Sequence, residues 1–204
     1  MEIICTNLSK KYNSEWIFKG VDLHFLEGHS YAVIGSNGSG KSTLLQCISG
    51  MLPASSGIVN FKKEELIHQD DYYKYLSIAA PYLELLEDYT LIEHIKFHIN
   101  FVPLEPYLSA EDFISYLQLD QSADKAIKYF SSGMKQKLKL GLAILSNRPI
   151  LLLDEPTSNL DTKGIQWYKE EIEKVKNKKL IIVCSNQEYE YDFCKSTIEM
   201  KDLK

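Results

Sequence analysis

Apolar positions along this chain repeat with two distinct periods. Val21, Leu23 and Phe25 alternate with Asp22 and His24, the period of a half-buried strand, and Tyr31–Ile34 is a continuous apolar run that predicts a fully buried one. After a glycine-rich stretch, Lys41–Ser49 lacks helix breakers and predicts a helix stopped by Gly50. Pro53 and Gly57 then mark a turn before another strand around Ile58–Phe61. Leu91, Ile95 and Ile99 recur at helical spacing, and Phe113, Ile114 and Leu117 predict a second helix after a Pro-containing link, so the stretch from about Leu91 to Lys128 reads as a helical insertion. Met134, Leu138, Leu142 and Leu145 share one helical face, Ile150–Leu153 is a buried strand, and Ile165, Tyr168, Ile172 and Val175 mark another amphipathic helix before a strand at Leu180–Cys184.

Strands that alternate with helices predict an α/β sheet with a largely parallel core, because parallel neighbours need crossover connections and those are usually helices. The length of 204 residues, 45% hydrophobic and 25% charged, fits one domain. No internal repeat or low-complexity linker divides it. The lysine-rich run Lys174–Lys179 reads as a solvated helix end, where cations suit the negative end of the dipole.

The formal charge of −5 gives no basic excess, so nucleic acid is not an expected partner. Cys5, Cys47, Cys184 and Cys194 are scattered and form no CxxC pair, which fits buried thiols in a reducing compartment, so the expectation is a cytosolic chain without disulfides. No apolar stretch reaches the roughly 18–20 residues needed to cross a bilayer, and Met1–Lys11 is too polar for a secretory signal.

The strongest chemical signal is Gly35-Ser36-Asn37-Gly38-Ser39-Gly40-Lys41-Ser42, followed by Thr43. It matches G-x-x-x-x-G-K-[ST] between a predicted strand and a predicted helix, the context that pattern requires. Glycines let the backbone curl so that successive N–H groups point at phosphate oxygens, and the helix adds its positive dipole end. Lys41 supplies a mobile charge between β- and γ-phosphates, and Ser42 a hydroxyl ligand for Mg²⁺.

A second signal is the apolar strand Ile150–Leu153 that ends in Asp154 and Glu155. Ligands of open α/β sheets gather outside the carboxyl ends of strands, so both acids face the phosphates. Asp154 can hold the metal, directly or through water, while Glu155 accepts a proton from, or orients, the attacking water. Taken alone, the acid pair reads as a turn toward Pro156; beside a phosphate loop it reads as catalytic. Phe130–Lys137 (FSSGMKQK) opens the next predicted helix, with Ser131 and the Gly133 N–H at its N-terminus, a second anion-binding end or an ordinary helix cap.

Order and spacing of these segments resemble the ATP-binding cassettes of ABC ATPases. Gly35–Ser42 resembles their Walker A loop, Phe130–Lys137 their signature turn, Ile150–Glu155 their Walker B strand, and Ser158–Asp161 the D-loop. Tyr12 matches the aromatic that stacks on adenine, with Trp16 as a competitor for the role. The resemblance covers nearly the whole chain. It implies one P-loop cassette domain over residues 1–204, with an N-terminal antiparallel β part and a helical subdomain at about 82–135. It further implies a head-to-tail homodimer or cassette heterodimer in which each ATP lies between one chain's Walker A and the other's signature. Separate membrane-spanning permease subunits would couple through the helical insertion and the segment around Ala79–Asp88, holding the chain at the inner face of the cell membrane. The alternative is a soluble, non-transport cassette acting as an ATP-dependent switch.

Three departures from the family pattern stand out. Asn186, in Cys184-Ser185-Asn186-Gln187, replaces the switch histidine; an amide can donate to a γ-phosphate but has no cationic form, which implies slower hydrolysis. The Q-loop glutamine is missing from Ala79–Glu84, where Pro81 or a neighbour takes its place and Glu84 is a substitute to consider. Ser132 and Met134 stand where glycine and glutamine are commonest in the signature, an exporter-like form. A small-molecule P-loop kinase would need neither the signature turn nor the D-loop. A chromosome or repair cassette would carry long heptad arms, and a translation-type cassette two copies per chain.

Overall fold

The computed structural model describes residues 1–105 and 108–204 of the chain; Pro106 and Tyr107, within the Pro-containing link, lie outside the described residues. The elements run β1 (Glu2–Tyr12), β2 (Glu15–Leu26), β3 (Ser30–Ile34), α1 (Lys41–Ser49), β4 (Ser56–Lys62), β5 (Leu66–Ile67) and β6 (Leu76–Ala79). There follow α2 (Leu91–Ile99), α3 (Ala110–Tyr116), α4 (Ser132–Ile144), β7 (Ile150–Asp154), α5 (Thr162–Val175), β8 (Leu180–Ser185) and β9 (Ser196–Glu199). One sheet is antiparallel in the order β2-β1-β4-β5, and the other is parallel in the order β6-β7-β8-β3-β9. This is a P-loop α/β architecture.

Alternation along the parallel strands decides which layer each side chain enters. Leu152, Ile182 and Val33 join a core with Leu44, Leu45 and Ile48 of α1 and with Ile3, Phe25 and Phe61 of the antiparallel sheet. Leu151, Leu153, Ile181 and Val183 point the other way, against Leu140 and Ile144 of α4 and Tyr168 and Ile172 of α5. Each of these fully buried aliphatic side chains contributes about 1.5–3 kcal/mol. Helices on both faces are what make a parallel sheet with no polar face stable.

Helix α4 is apolar on two sides. Leu138, Leu142 and Leu145 face a separate cluster with Leu91 and Ile95 of α2 and Phe113 and Ile114 of α3. Gly141 permits this: a Cβ there would lie 2.7 Å from Leu117 Cδ2 and 3.1 Å from Phe113 Cζ. Capping boxes start both insertion helices, Thr90 with Glu93 and Ser109 with Asp112.

Register sets the site. Ile34 lies opposite Ser185 and Asp154 opposite Cys184 in the parallel ladders, so the carboxyl ends of β3, β7 and β8 share one edge. The loop after β3, the acids after β7 and the residues after β8 therefore leave the sheet together.

One expectation is corrected. Lys179 does not belong to a solvated run: it is 4% exposed, and its ammonium donates to the carbonyls of Ile144, at 3.0 Å, and Ser146. It satisfies the end of α4, and burial lowers its pKa to about 8.

Candidate functional site

The loop after β3 is shaped by glycines at positive φ: Gly35 at 156°, Gly38 at 77° and Gly40 at 106°. At Gly40 a side chain is also sterically barred, because a Cβ would overlap Ile17 Cγ2 of β2. The β1–β2 ribbon thus packs directly on the loop. Gly40 is the N-cap of α1, and neither a side-chain cap nor an acidic residue occupies its first turn. Ser42 and Thr43 stand in that turn, half-buried. Uncapped N–H groups at a helix N-terminus form a ready anion site.

Lys41 is buried, with 5% exposure, and its ammonium folds back to donate to the carbonyls of Gly35 at 2.7 Å and Ser36 at 3.2 Å. Ser36 O also accepts from the Ser39 N–H at 3.1 Å, which tightens the turn. The Ser39 hydroxyl is buried without a partner.

Asp154 ends β7 at 1% exposure, and its Oδ1 has no hydrogen-bond partner among the described residues. Burial raises its pKa, with the charges of Glu155 and Glu190 adding to the rise; a hydrogen bond from Ser42 and the Lys41 charge oppose it. A buried, unsatisfied carboxylate oxygen beside a serine hydroxyl is a donor set suited to a hard divalent cation such as Mg²⁺. Glu155 follows in the left-handed region at φ 44°, its N–H donating to Cys184 O at 2.9 Å.

Asn186, first beyond β8, donates from Nδ2 to Asn37 Oδ1 at 3.0 Å. Asn37, Glu155, Asn186, Thr157 and Glu190 line one cleft of about 350 Å³. The structure therefore brings together Gly35–Thr43, Asp154, Glu155 and Asn186 at one edge.

Ser131 and Gly133 lie elsewhere. Ser131 caps α4 by accepting from the Met134 N–H at 3.2 Å, and with Gly133, Lys137 and Trp167 it lines a different cleft of about 1,100 Å³. Asn159 lines both clefts, and a Cβ on Gly133 would lie 3.0 Å from its carbonyl. Tyr12 and Trp16 sit at the hairpin end of β1 and β2, 48% and 38% exposed, each ring with a lysine ammonium over its face: Lys10 at 5.2 Å over Tyr12, and Lys11 at 5.2 Å over Trp16. Neither ring is favoured over the other by this geometry.

Several residues here carry no sequence signal. Gln136 is buried in α4 and donates to Pro156 O at 2.7 Å, joining this helix to the turn after Glu155. Tyr82, next to the position of the missing Q-loop glutamine, has its phenol pKa raised first by burial, then by the Asp154 charge, with Gln46 of α1 as an opposing hydrogen-bond partner. Glu190 accepts from the Thr157 N–H at 2.8 Å and from the hydroxyls of Thr157 and Ser185. Among the described residues, no helix is long and apolar enough to cross a membrane.

A family profile described as ABC transporter matches residues 18–158. An uncharacterised ABC transporter ATP-binding protein of Bacillus subtilis is 30% identical over 196 residues, covering 95% of this chain and 90% of its own. A lantibiotic transport ATP-binding protein of Streptococcus pyogenes is 30% identical over 185 residues, covering 88% of this chain and 77% of its own. A dimeric bacterial ABC transporter cassette of known structure superposes with a TM-score of 0.82 at 22% identity, over 97% of this chain and 94% of that one.

Proposed function

We infer how this chain, which belongs to the ABC transporter family of ATP-binding cassettes, uses its site. Lys41 leaves the Gly35 and Ser36 carbonyls for the β- and γ-phosphates of ATP, and the N–H groups of Gly38 through Thr43 wrap the phosphate chain. Ser42 and Asp154 hold Mg²⁺, which supplies positive charge to the phosphates. Glu155 orients and deprotonates the attacking water, and Asn186 donates to the γ-phosphate. Tyr12 stacks on the adenine.

Ser131 and Gly133 line a cleft other than the one holding Asn37 and Glu155. They serve the nucleotide of a second cassette arranged head to tail, so that closure of the pair accompanies binding. Hydrolysis is slow because Asn186 cannot exchange a proton near neutral pH. The closure drives substrate movement through separate permease subunits, which hold the chain at the inner face of the cell membrane and dock on the helical subdomain at about 82–135.

The observation that carries this reading is the unsatisfied Asp154 Oδ1 set beside Ser42 and Lys41 at an uncapped helix N-terminus. Calorimetric titration with ATP tests it. Mg²⁺-dependent binding that weakens by roughly 10- to 100-fold in Lys41→Ala, as expected for loss of charge-assisted hydrogen bonds, supports it. Equal binding by the two proteins overturns it.

A further inference from the structure

Two segments must be held at a fixed separation for the chemistry above. One follows β7 and carries Glu155; the other follows β8 and carries Asn186. Backbone pairing reaches only as far as the Glu155 N–H on Cys184 O. Beyond that point both segments are turns, and their spacing depends on side chains.

One buried side chain spans them. Glu190 is 2% exposed and bonds Thr157, two residues past Glu155, through both the N–H and the hydroxyl. Its other oxygen accepts from the hydroxyl of Ser185, directly before Asn186. Ser185 Oγ in turn accepts from the Gln187 N–H at 2.8 Å, which closes the turn around Asn186. Glu190 is itself anchored, since its carbonyl accepts from the Tyr168 hydroxyl of α5 at 2.7 Å. Three donors thus converge on two carboxylate oxygens, with no cation among the described residues paired to them.

We propose that Glu190 is a positioning residue for ATP hydrolysis, clamping the Glu155 turn to the Asn186 turn so that water and γ-phosphate are held in line. This rests on the ATPase reading given above. A carboxylate is required because every protein partner is a donor, and an amide supplies only one accepting oxygen. With glutamine at 190, the oxygen can still face Thr157, but the NH₂ group confronts Ser185 and leaves the serine proton without an acceptor. The clamp weakens on the Asn186 side.

The test compares wild type with Glu190→Gln and Ser185→Ala in the full chain. It measures ATPase kcat and KM, affinity for a non-hydrolysable ATP analogue with Mg²⁺, and the thermal midpoint. The expected result is a fall in kcat of about 10- to 100-fold, the range found when groups that orient a reacting shell are removed, with KM and analogue affinity within about twofold. Ser185→Ala keeps the test open should Glu190→Gln fold poorly. Wild-type kcat in both variants overturns the proposal, as does a loss of kcat matched by equal losses of analogue affinity and thermal midpoint, which marks a structural role only. A wild-type chain that binds no ATP overturns the nucleotide reading itself, and this proposal with it.

Discussion

Asn186 and Asn37 are joined side chain to side chain, Nδ2 to Oδ1 at 3.0 Å, across the mouth of the phosphate loop. The residue after β8 is therefore already directed at the loop, with a donor that ATP can recruit. What it lacks is a proton to exchange. Asn186→His should raise kcat by roughly 10- to 100-fold, at or below the usual contribution of general acid–base groups. Steady-state phosphate release decides it, and an unchanged or lower rate removes Asn186 as a limit on turnover.

Asp154 illustrates a cost accepted for function. Its pKa is raised in the folded chain, chiefly by burial. A carboxyl whose folded pKa exceeds its unfolded value contributes stability only while protonated, and that contribution is lost as pH rises through the folded pKa, so above the ordinary carboxylate range the buried group costs stability. Asp154→Asn should therefore raise the nucleotide-free melting temperature, on the order of 1 kcal/mol or ~2–4 °C for a domain of this size, while abolishing Mg²⁺-dependent hydrolysis. A lower melting temperature would show the carboxylate to be satisfied in the free protein.

Gly40 is held by two independent constraints, φ of 106° and the Ile17 side chain against its α-carbon. Either alone disfavours a side chain. Gly40→Ala should destabilise by about 1–3 kcal/mol from backbone strain, before any displacement of Ile17 is counted. Guanidinium chloride unfolding measures this directly, and a change under about 0.5 kcal/mol would mean that loop and ribbon are not packed in solution as described.

Lys179 allows a pH test with an unusual sign. Its folded pKa of about 8 lies below the ordinary 10.5, with burial the main cause. Between those values the unfolded chain binds more protons, so this residue's contribution to stability rises with pH across that window. Tyrosines and thiols such as Tyr168 and Cys184 have raised pKa values and act oppositely, which makes a difference measurement necessary. Wild type minus Lys179→Met should gain stability from pH 8 to pH 10.5, by up to about 3 kcal/mol. A flat or falling difference would indicate that the Ile144 and Ser146 carbonyls hold the ammonium charged throughout.

Motifs whose chemistry is local were legible in the sequence. The glycine spacing of Gly35–Ser42 and the apolar run ending in Asp154 each depend on neighbours in the chain, and the structure sets them on one sheet edge. Two strands were harder to read. In β1, Ile3 and Cys5 keep the period of two, but a register shift between Cys5 and Leu8 breaks it, and β6 is only four residues long. Glu190 and Gln136 were invisible for another reason: their partners, Ser185 and Thr157 for the one and Pro156 for the other, are brought close only by the fold. Lys179 was misread because a lysine run looks solvated until the end of α4 arrives with its open carbonyls.

The two clefts also bear on how many chains make one site. Ser131 and Gly133 line one, Asn37 and Glu155 the other, with Asn159 between them. If a nucleotide is shared head to tail, Lys41 of one chain works with Ser131 of the other, and defects in the two residues can be separated between chains. Lys41→Ala and Ser131→Ala should each be nearly inactive alone, since every site in either homodimer carries a defect. In an equimolar mixture, half of the randomly assembled dimers pair one variant with the other. Each such heterodimer has one site with both defects and one site with neither, so activity should return to about a quarter of the wild-type rate when the sites work independently. A site built within a single chain predicts no recovery, because every chain in the mixture is defective. Phosphate release from the mixture, against the mean of the separate variants, distinguishes the two arrangements.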